Sequence, residues 1–304
     1  MAPPEVAAGI MEEMPGQRPP TMRLTPRDRE VLADLWRLRY LSTAQVSRLH
    51  FGDLKRAQRR LRILHRHGLV DRFQPEASGQ TGFRAWWYRL ARPGARVVAE
   101  DAGLRVEEVL PPSRRPRSQG HLAHHSLLTD VRLWLREGCQ ASGGEFGYEF
   151  IPSYEEVRVK GRRQRRVAIV LNGAQTVVPD GALLLTRRSG KSALFLLEVD
   201  RGTEPLTGRH KATIEKKLGA YASAFDAYAE EHYRDVFQHD FSGFRVLFTL
   251  PDGRRLDKVL GLAHRLDFAP LVWATTNQRF QERGDLDSAC WAVVPGEALH
   301  RLTE

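Results

Sequence analysis

Asp180 stands between a proline and a glycine at the start of an apolar run, and Glu198 and Asp200 close the next such run. Lys216, Lys217 and Tyr221 follow on a stretch of helical period. If the two runs are adjacent strands, Asp180 and Glu198 share one edge. Carboxylates placed in this way bind a hard divalent cation, Mg²⁺ or Mn²⁺, with water completing its shell. Such a cation polarises a phosphoryl oxygen and lowers the pKa of an attacking water. A nearby lysine would steady that water or the charge that develops on the phosphorus oxygens. Tyr221 offers a different chemistry, as a nucleophile for strand transfer, although it also fits the apolar stripe of its helix.

A second group of residues is suited to binding. Lys55, Arg56, Arg59, Arg60, Arg62 and Arg66 surround an apolar stripe of Leu54, Ala57, Leu61 and Leu64, with no acidic residue from Leu54 to Val70. Burying the stripe turns the guanidinium groups outward, as a recognition helix presents them to a major groove. Arg84 and Arg89 flank Trp86, Trp87 and Tyr88 in a following hairpin whose Gly79 to Gly82 tip could track phosphates. Alternating register would turn one or two of those aromatics inward as packing. A further run, Arg158, Lys160, Arg162, Arg163, Arg165 and Arg166 around Gly161, suits a clamp on a nucleic-acid backbone.

The elements that must position these groups are legible from period and punctuation. Thr25, Pro26 and Asp28 begin a helix carrying Val31, Leu32, Leu35 and Leu38. Ser42 and Thr43 cap a short second helix, and a third runs from Asp53 to a stop at Gly68. Strands at 69–73 and 84–90 complete a helix, helix, helix, hairpin order, that of a winged helix-turn-helix. One more short helix is expected at 93–103, and 111–120 reads as an exposed linker. Beyond it come a helix at 121–137, strands at 147–151, 167–171, 177–186 and 193–199, and a long helix at 211–233. A strand at 244–250, a helix at 256–266 and strands at 271–275 and 291–294 close the pattern. Alternation of this kind predicts an α+β or α/β fold with helices on the faces of a mixed sheet. The division is a disordered leader at 1–22, a DNA-binding domain at 23–104, a linker at 105–120 and a second domain at 121–304.

The arrangement Pro-Asp, hairpin, acidic residue, any residue resembles the PD-(D/E)XK nuclease superfamily, in which a lysine comes next. Here Asp200 stands in the place of that lysine. Members of the superfamily move the lysine to the succeeding helix, and on that resemblance Lys217 takes the role, Lys216 lying about 100° around the helix. The same resemblance makes Asp130 and His125, on the helix that opens the second domain, auxiliary site candidates. Together with the winged helix, the segment Leu197 to Glu204 and the helix after it, residues 24–250 resemble the replication-relaxation family of plasmid and mobile-element proteins. The resemblance implies a role in replication or mobilisation through DNA binding and nicking, with replication or mobilisation proteins as possible partners.

Composition fits this reading. The formal net charge is +10, and residues 25–90 hold fourteen Lys and Arg against six Asp and Glu, so the surplus is concentrated where double-stranded DNA is expected to bind. Only two cysteines occur, Cys139 and Cys290, far apart in sequence and in no metal-ligand spacing, so neither a disulfide framework nor a zinc site is suggested, which suits a reducing, cytoplasmic setting. No apolar run approaches membrane length. The expectation is a Mg²⁺- or Mn²⁺-dependent DNA endonuclease or nickase. The alternatives are a DNA-binding initiator or regulator without chemistry, and a relaxase using Tyr221.

Overall fold

The computed structural model describes residues 22–74, 85–110, 119–159, 161–171, 175–210, 212–227, 236–237, 239, 241, 243–282 and 286–303. Helix α1 (Pro26–Leu38) starts at a capping box in which Thr25 and Asp28 satisfy each other's backbone amides. Ser42 and Gln45 repeat the device at α2 (Thr43–Val46), which runs into a π-helical turn, Ser47–Phe51. Asp53 caps α3 (Leu54–Arg66) by accepting from the Arg56 amide. Strands β1 (Leu41–Ser42), β2 (Val70–Phe73) and β3 (Trp87–Leu90) form an antiparallel sheet in the order β1-β3-β2. Val31, Leu32, Leu35, Val46, Leu61, Leu64 and Tyr88 close one core between these elements, joined by α4 (Arg92–Ala102) and α5 (Val106–Val109).

One detail differs from expectation and one agrees with it. Leu54 is the first residue of α3 and is 47% exposed, because the helix meets the core only from Ala57 onward. Of the three aromatics, Tyr88 alone is buried, whereas Trp86 is exposed and lies under the Arg72 guanidinium. The Gly79 to Gly82 tip and Arg84 fall outside the described residues.

The remainder is built on a five-stranded mixed sheet. Its strands are β4 (Phe146–Pro152), β9 (Gly181–Arg187), β10 (Ser192–Val199), β11 (Arg245–Leu250) and β12 (Val272–Thr276), in the order β12-β11-β10-β9-β4. The pairs β10 with β11 and β11 with β12 are parallel, whereas β9 runs antiparallel to both β10 and β4. Two small hairpins, β5 (Glu156–Val159) with β6 (Arg162–Arg165) and β7 (Ile169–Leu171) with β8 (Gln175–Val177), lie between β4 and β9 in sequence. The expected strand over 177–186 divides because Pro179 offers no amide to a ladder. The segment expected as a strand at 291–294 supplies only isolated bridges, Ala292 to Ala274 and Trp291 to His300.

Period-2 alternation on β9 and β10 assigns the two faces. Ala182, Leu184, Leu194 and Leu196 pack with Ile214, Leu218 and Tyr221 of α7 (Ile214–Ala227) and with Leu256, Val259 and Leu260 of α8 (Gly253–Arg265). Leu183, Leu185, Phe195 and Leu197 pack with Val131, Trp134 and Leu135 of α6 (Gln119–Ala141) and with Phe280 of α9 (Asn277–Glu282). A sheet buried on both faces explains the unbroken apolar runs of β10 and β11. The fold is mixed α+β, as expected. Among the described residues no helix is long and apolar enough to cross a membrane.

Candidate functional site

Asp180 lies one register step beyond the last β9–β10 pair, Leu197 with Gly181, so antiparallel pairing sets it opposite Glu198 on the face covered by α7. Its amide donates to the Leu197 carbonyl at 2.9 Å, and its Oδ2 accepts from the Val199 amide at 2.9 Å. Gly181 permits this turn: a Cβ there would lie 3.2 Å from the Ile151 carbonyl oxygen and 3.3 Å from the Phe150 ring. The Asp180 Oδ1 is 3.1 Å from His124 Nε2.

Glu198 is 2% exposed, and both of its carboxylate oxygens have donors from α7. The Tyr221 hydroxyl donates to Oε1, and Lys217 Nζ donates to Oε2 at 2.9 Å and to Glu204 Oε2 at 3.3 Å. Residues 217 and 221 share a helix face at i, i+4 spacing, so one element delivers the ammonium and the phenol together. Burial pushes the Glu198 carboxyl up to about 7; Lys217 opposes the rise and the Asp180 charge reinforces it. Burial works against the Lys217 ammonium too, but Glu198 outweighs it and holds the lysine above its ordinary range. Asp180 moves the other way: burial raises it, yet His124, the Val199 amide and Lys217 together hold it below the usual carboxylate range. Burial disfavours the charged form of His124, but Asp180 reverses this and raises its pKa.

Asp200 has a different setting. Its Oδ1 accepts from the Gly202 amide at 2.7 Å and its Oδ2 from Arg255 Nε at 2.6 Å. Arg255 donates as well to the Glu204 carbonyl, so the Asp200 to Glu204 loop is tied to the first turn of α8. Lys216 turns aside and donates to the His210 carbonyl at 2.6 Å.

The auxiliary candidates are not brought to this cluster. Asp130 accepts from Gln45 Nε2 at 3.1 Å, and burial raises its pKa. His125 stacks edge-on to Tyr40 and His121, with ring centroids 5.5 and 4.4 Å away, and burial beside His121 and His124 lowers its pKa to about 3. The helical step of about 100° between neighbours separates His124 from His125, and it is His124 that meets Asp180. Sequence reasoning gave no site role to Arg201 or Glu204, although both lie in the Leu197 to Glu204 segment, nor to Arg255. The only available signal was their closeness to Asp200 in the chain or their place at a helix start.

A cavity of about 380 Å³ lies beside this cluster, its wall including His121, His124, Asp180, Arg201, Glu204 and Lys217. Among the described residues no three His, Cys, Asp or Glu side chains are grouped so as to hold a metal ion. The chemistry of Asp180 and Glu198 nevertheless suits Mg²⁺ or Mn²⁺: both are hard oxygen donors, and their like charges already oppose each other. A cation that retains most of its waters needs only one or two protein carboxylates.

On α3, Lys55, Arg56, Arg59, Arg62 and Arg66 are exposed on the side opposite Ala57, Leu61 and Leu64. Arg60 is used elsewhere, because it pairs through two hydrogen bonds with the buried Asp28 carboxylate at the start of α1. Arg162 and Arg163 lie on β6, paired in register with Val159 and Arg158.

A family model described as replication-relaxation matches residues 32–239, more than half of the chain, and the chain belongs to that family. No curated protein and no solved structure matches it.

Proposed function

We propose that the chain is a DNA-binding protein of a plasmid or mobile element that cleaves a DNA phosphodiester with Mg²⁺ or Mn²⁺. In this reading residues 23–104 are a winged helix-turn-helix and residues 121–304 a PD-(D/E)XK-like domain, working in the cytoplasm. Membership of the replication-relaxation family supports the setting. The helix order, the β1-β3-β2 sheet and the exposed cations of α3 support the DNA-binding part. The observation that carries the chemistry is the meeting of Asp180, Glu198 and Lys217 from two strands and a helix beside an open cavity.

Asp180 and Glu198 would hold the cation, which when bound polarises the phosphate and acidifies a water. His124 and the Val199 amide fix the Asp180 carboxylate, and Tyr221 fixes that of Glu198. Lys217 stands between Glu198 and Glu204, where its charge would stabilise negative charge developing on the phosphate. Tyr221 is fully buried and donates to Glu198, a position that suits support of a carboxylate and not attack on DNA. One observation favours a binding-only initiator or regulator: Asp200, in the place of the motif lysine, is an ion-pair partner of Arg255.

The test is supercoiled plasmid incubated with the purified chain and Mg²⁺ or Mn²⁺. Nicked product is expected from the parent, and none from Asp180→Ala or Glu198→Ala, with duplex binding retained in both. Lys217→Ala should slow turnover and leave Mn²⁺ binding in place. A parent that binds neither cation by calorimetry and leaves supercoiled, linear and single-stranded DNA intact would establish the binding-only reading.

A further inference from the structure

The charges around the cavity are matched in pairs with one exception. Asp180 has His124, Glu204 has Lys217, and Asp200 has Arg255. Arg201, on the cavity wall, has no hydrogen-bond or ion-pair partner among the described residues. Its guanidinium rests over the first turn of α6. A Cβ at Gly120 would lie 2.7 Å from Arg201 Nη1 and 2.8 Å from Nη2, so the glycine makes the resting place. The position offers no structural gain, since the helix dipole favours anions at a first turn. A half-buried, unpaired guanidinium facing a polar cavity is suited to an anion, and its planar fork matches two oxygens of a phosphate.

We propose that Arg201 is the phosphate-binding side chain of this cavity, holding the non-bridging oxygens of a nucleic-acid phosphodiester beside Asp180 and Lys217. The assignment rests on the nuclease reading for its place in a reaction, but the binding it describes is measurable without cleavage. The same tetrahedral oxyanion occurs in free phosphate, and the two sources are separated below.

The full chain in EDTA is treated with phenylglyoxal, a guanidine reagent, and the modification rate of each arginine is followed by mass spectrometry. Arg201 should react readily and be protected about tenfold or more by saturating (dT)₁₂ lacking terminal phosphates. Equal protection by millimolar inorganic phosphate would reassign the subsite to free phosphate and overturn the phosphodiester. An unchanged Arg201 rate at (dT)₁₂ concentrations that saturate binding by fluorescence anisotropy would overturn the subsite altogether. Arg201→Ala should lower plasmid-nicking kcat/KM by about 10- to 100-fold, the range for one charge-assisted hydrogen-bonding group. Mn²⁺ affinity and Tm should hold, and Arg201→Lys should recover part of the loss. Gly120→Ala keeps the arginine but displaces it, and should reduce nicking without lowering Tm. Protection of Arg201 in a protein that cuts nothing leaves the subsite standing and removes the nuclease reading. Cutting without protection does the reverse.

Discussion

Replacing Glu198 by Gln tests the electrostatics of the cluster directly. The carboxyl is 2% exposed, and burial raises it from its ordinary 4.5 to about 7. At 1.36 kcal/mol per pH unit, ionising it in the folded protein costs about 3 kcal/mol more than in the unfolded chain. A folded-state pKa above the unfolded one means that the native protein binds the extra proton between pH 4.5 and 7. The contribution is therefore fully present below 4.5 and is lost as pH rises through 7. Glutamine keeps the shape, can accept from Lys217 through its carbonyl and donate to the Tyr221 oxygen through its amide, and does not titrate. Urea unfolding of parent and variant at intervals from pH 4.5 to 8 reads this group together with His124, whose pKa the Glu198 charge helps to raise, while titrations remote from the cluster cancel in the difference. The variant should gain on the parent by about 2 to 3 kcal/mol across the window, while its nicking activity is abolished. A stability gap that stays flat from pH 4.5 to 8 would refute the reasoning and describe Glu198 as a fully ionised partner of Lys217.

Three further outcomes follow from particular contacts. Arg56, Arg59 and Arg62 reversed together to Glu should weaken duplex binding by orders of magnitude, and each lost phosphate contact should reduce the slope of log affinity against log salt by about 0.9; fluorescence anisotropy across a salt series reads both. Arg60→Ala should leave DNA affinity nearly unchanged but destabilise the fold by about 1 to 2 kcal/mol in urea, since Asp28 is 1% exposed and loses its partner while the quarter-exposed arginine contributes little as a charge. Asp200→Asn should cost stability through the Arg255 contact and leave Mn²⁺ affinity unaltered by calorimetry; weaker Mn²⁺ binding would make Asp200 a ligand.

Local chemistry made much of the fold readable. Capping pairs at Thr25 and Ser42, the stripe of α3 and the Pro-Asp-Gly opening of β9 each act within a few residues. Register then carried the inference one step further, since strands of period 2 joined as a hairpin bring Asp180 and Glu198 to one face. What escaped depends on partners remote in sequence. Arg60 looks like its neighbours on α3 until Asp28, 32 residues earlier, takes it. Asp200 reads as a third site acid until Arg255, 55 residues later, takes both its charge and its loop. His124 and His125 are indistinguishable by residue type, and the choice between them depends on how α6 is rotated against the sheet.

That rotation is set from two sides. Val131, Trp134 and Leu135 pack α6 against the sheet, whereas Leu133 enters the core built around α1 and α3. Polar contacts hold the same side as Leu133. Gln45 donates to Asp130 at 3.1 Å and to the Ser126 carbonyl at 3.2 Å, and Arg132 donates to Asp34 at 2.8 Å, with His50 3.0 Å from that same carboxylate. Tyr40 closes on His125, next in sequence to the histidine that meets Asp180. From His124 to Arg132 the helix advances by about 12 Å at 1.5 Å per residue. The offset between the basic face of α3 and the acidic end of β10 is therefore fixed by one stiff helix gripped on both sides. In the proposed reading, a duplex bound on α3 would therefore meet the cavity at a set distance.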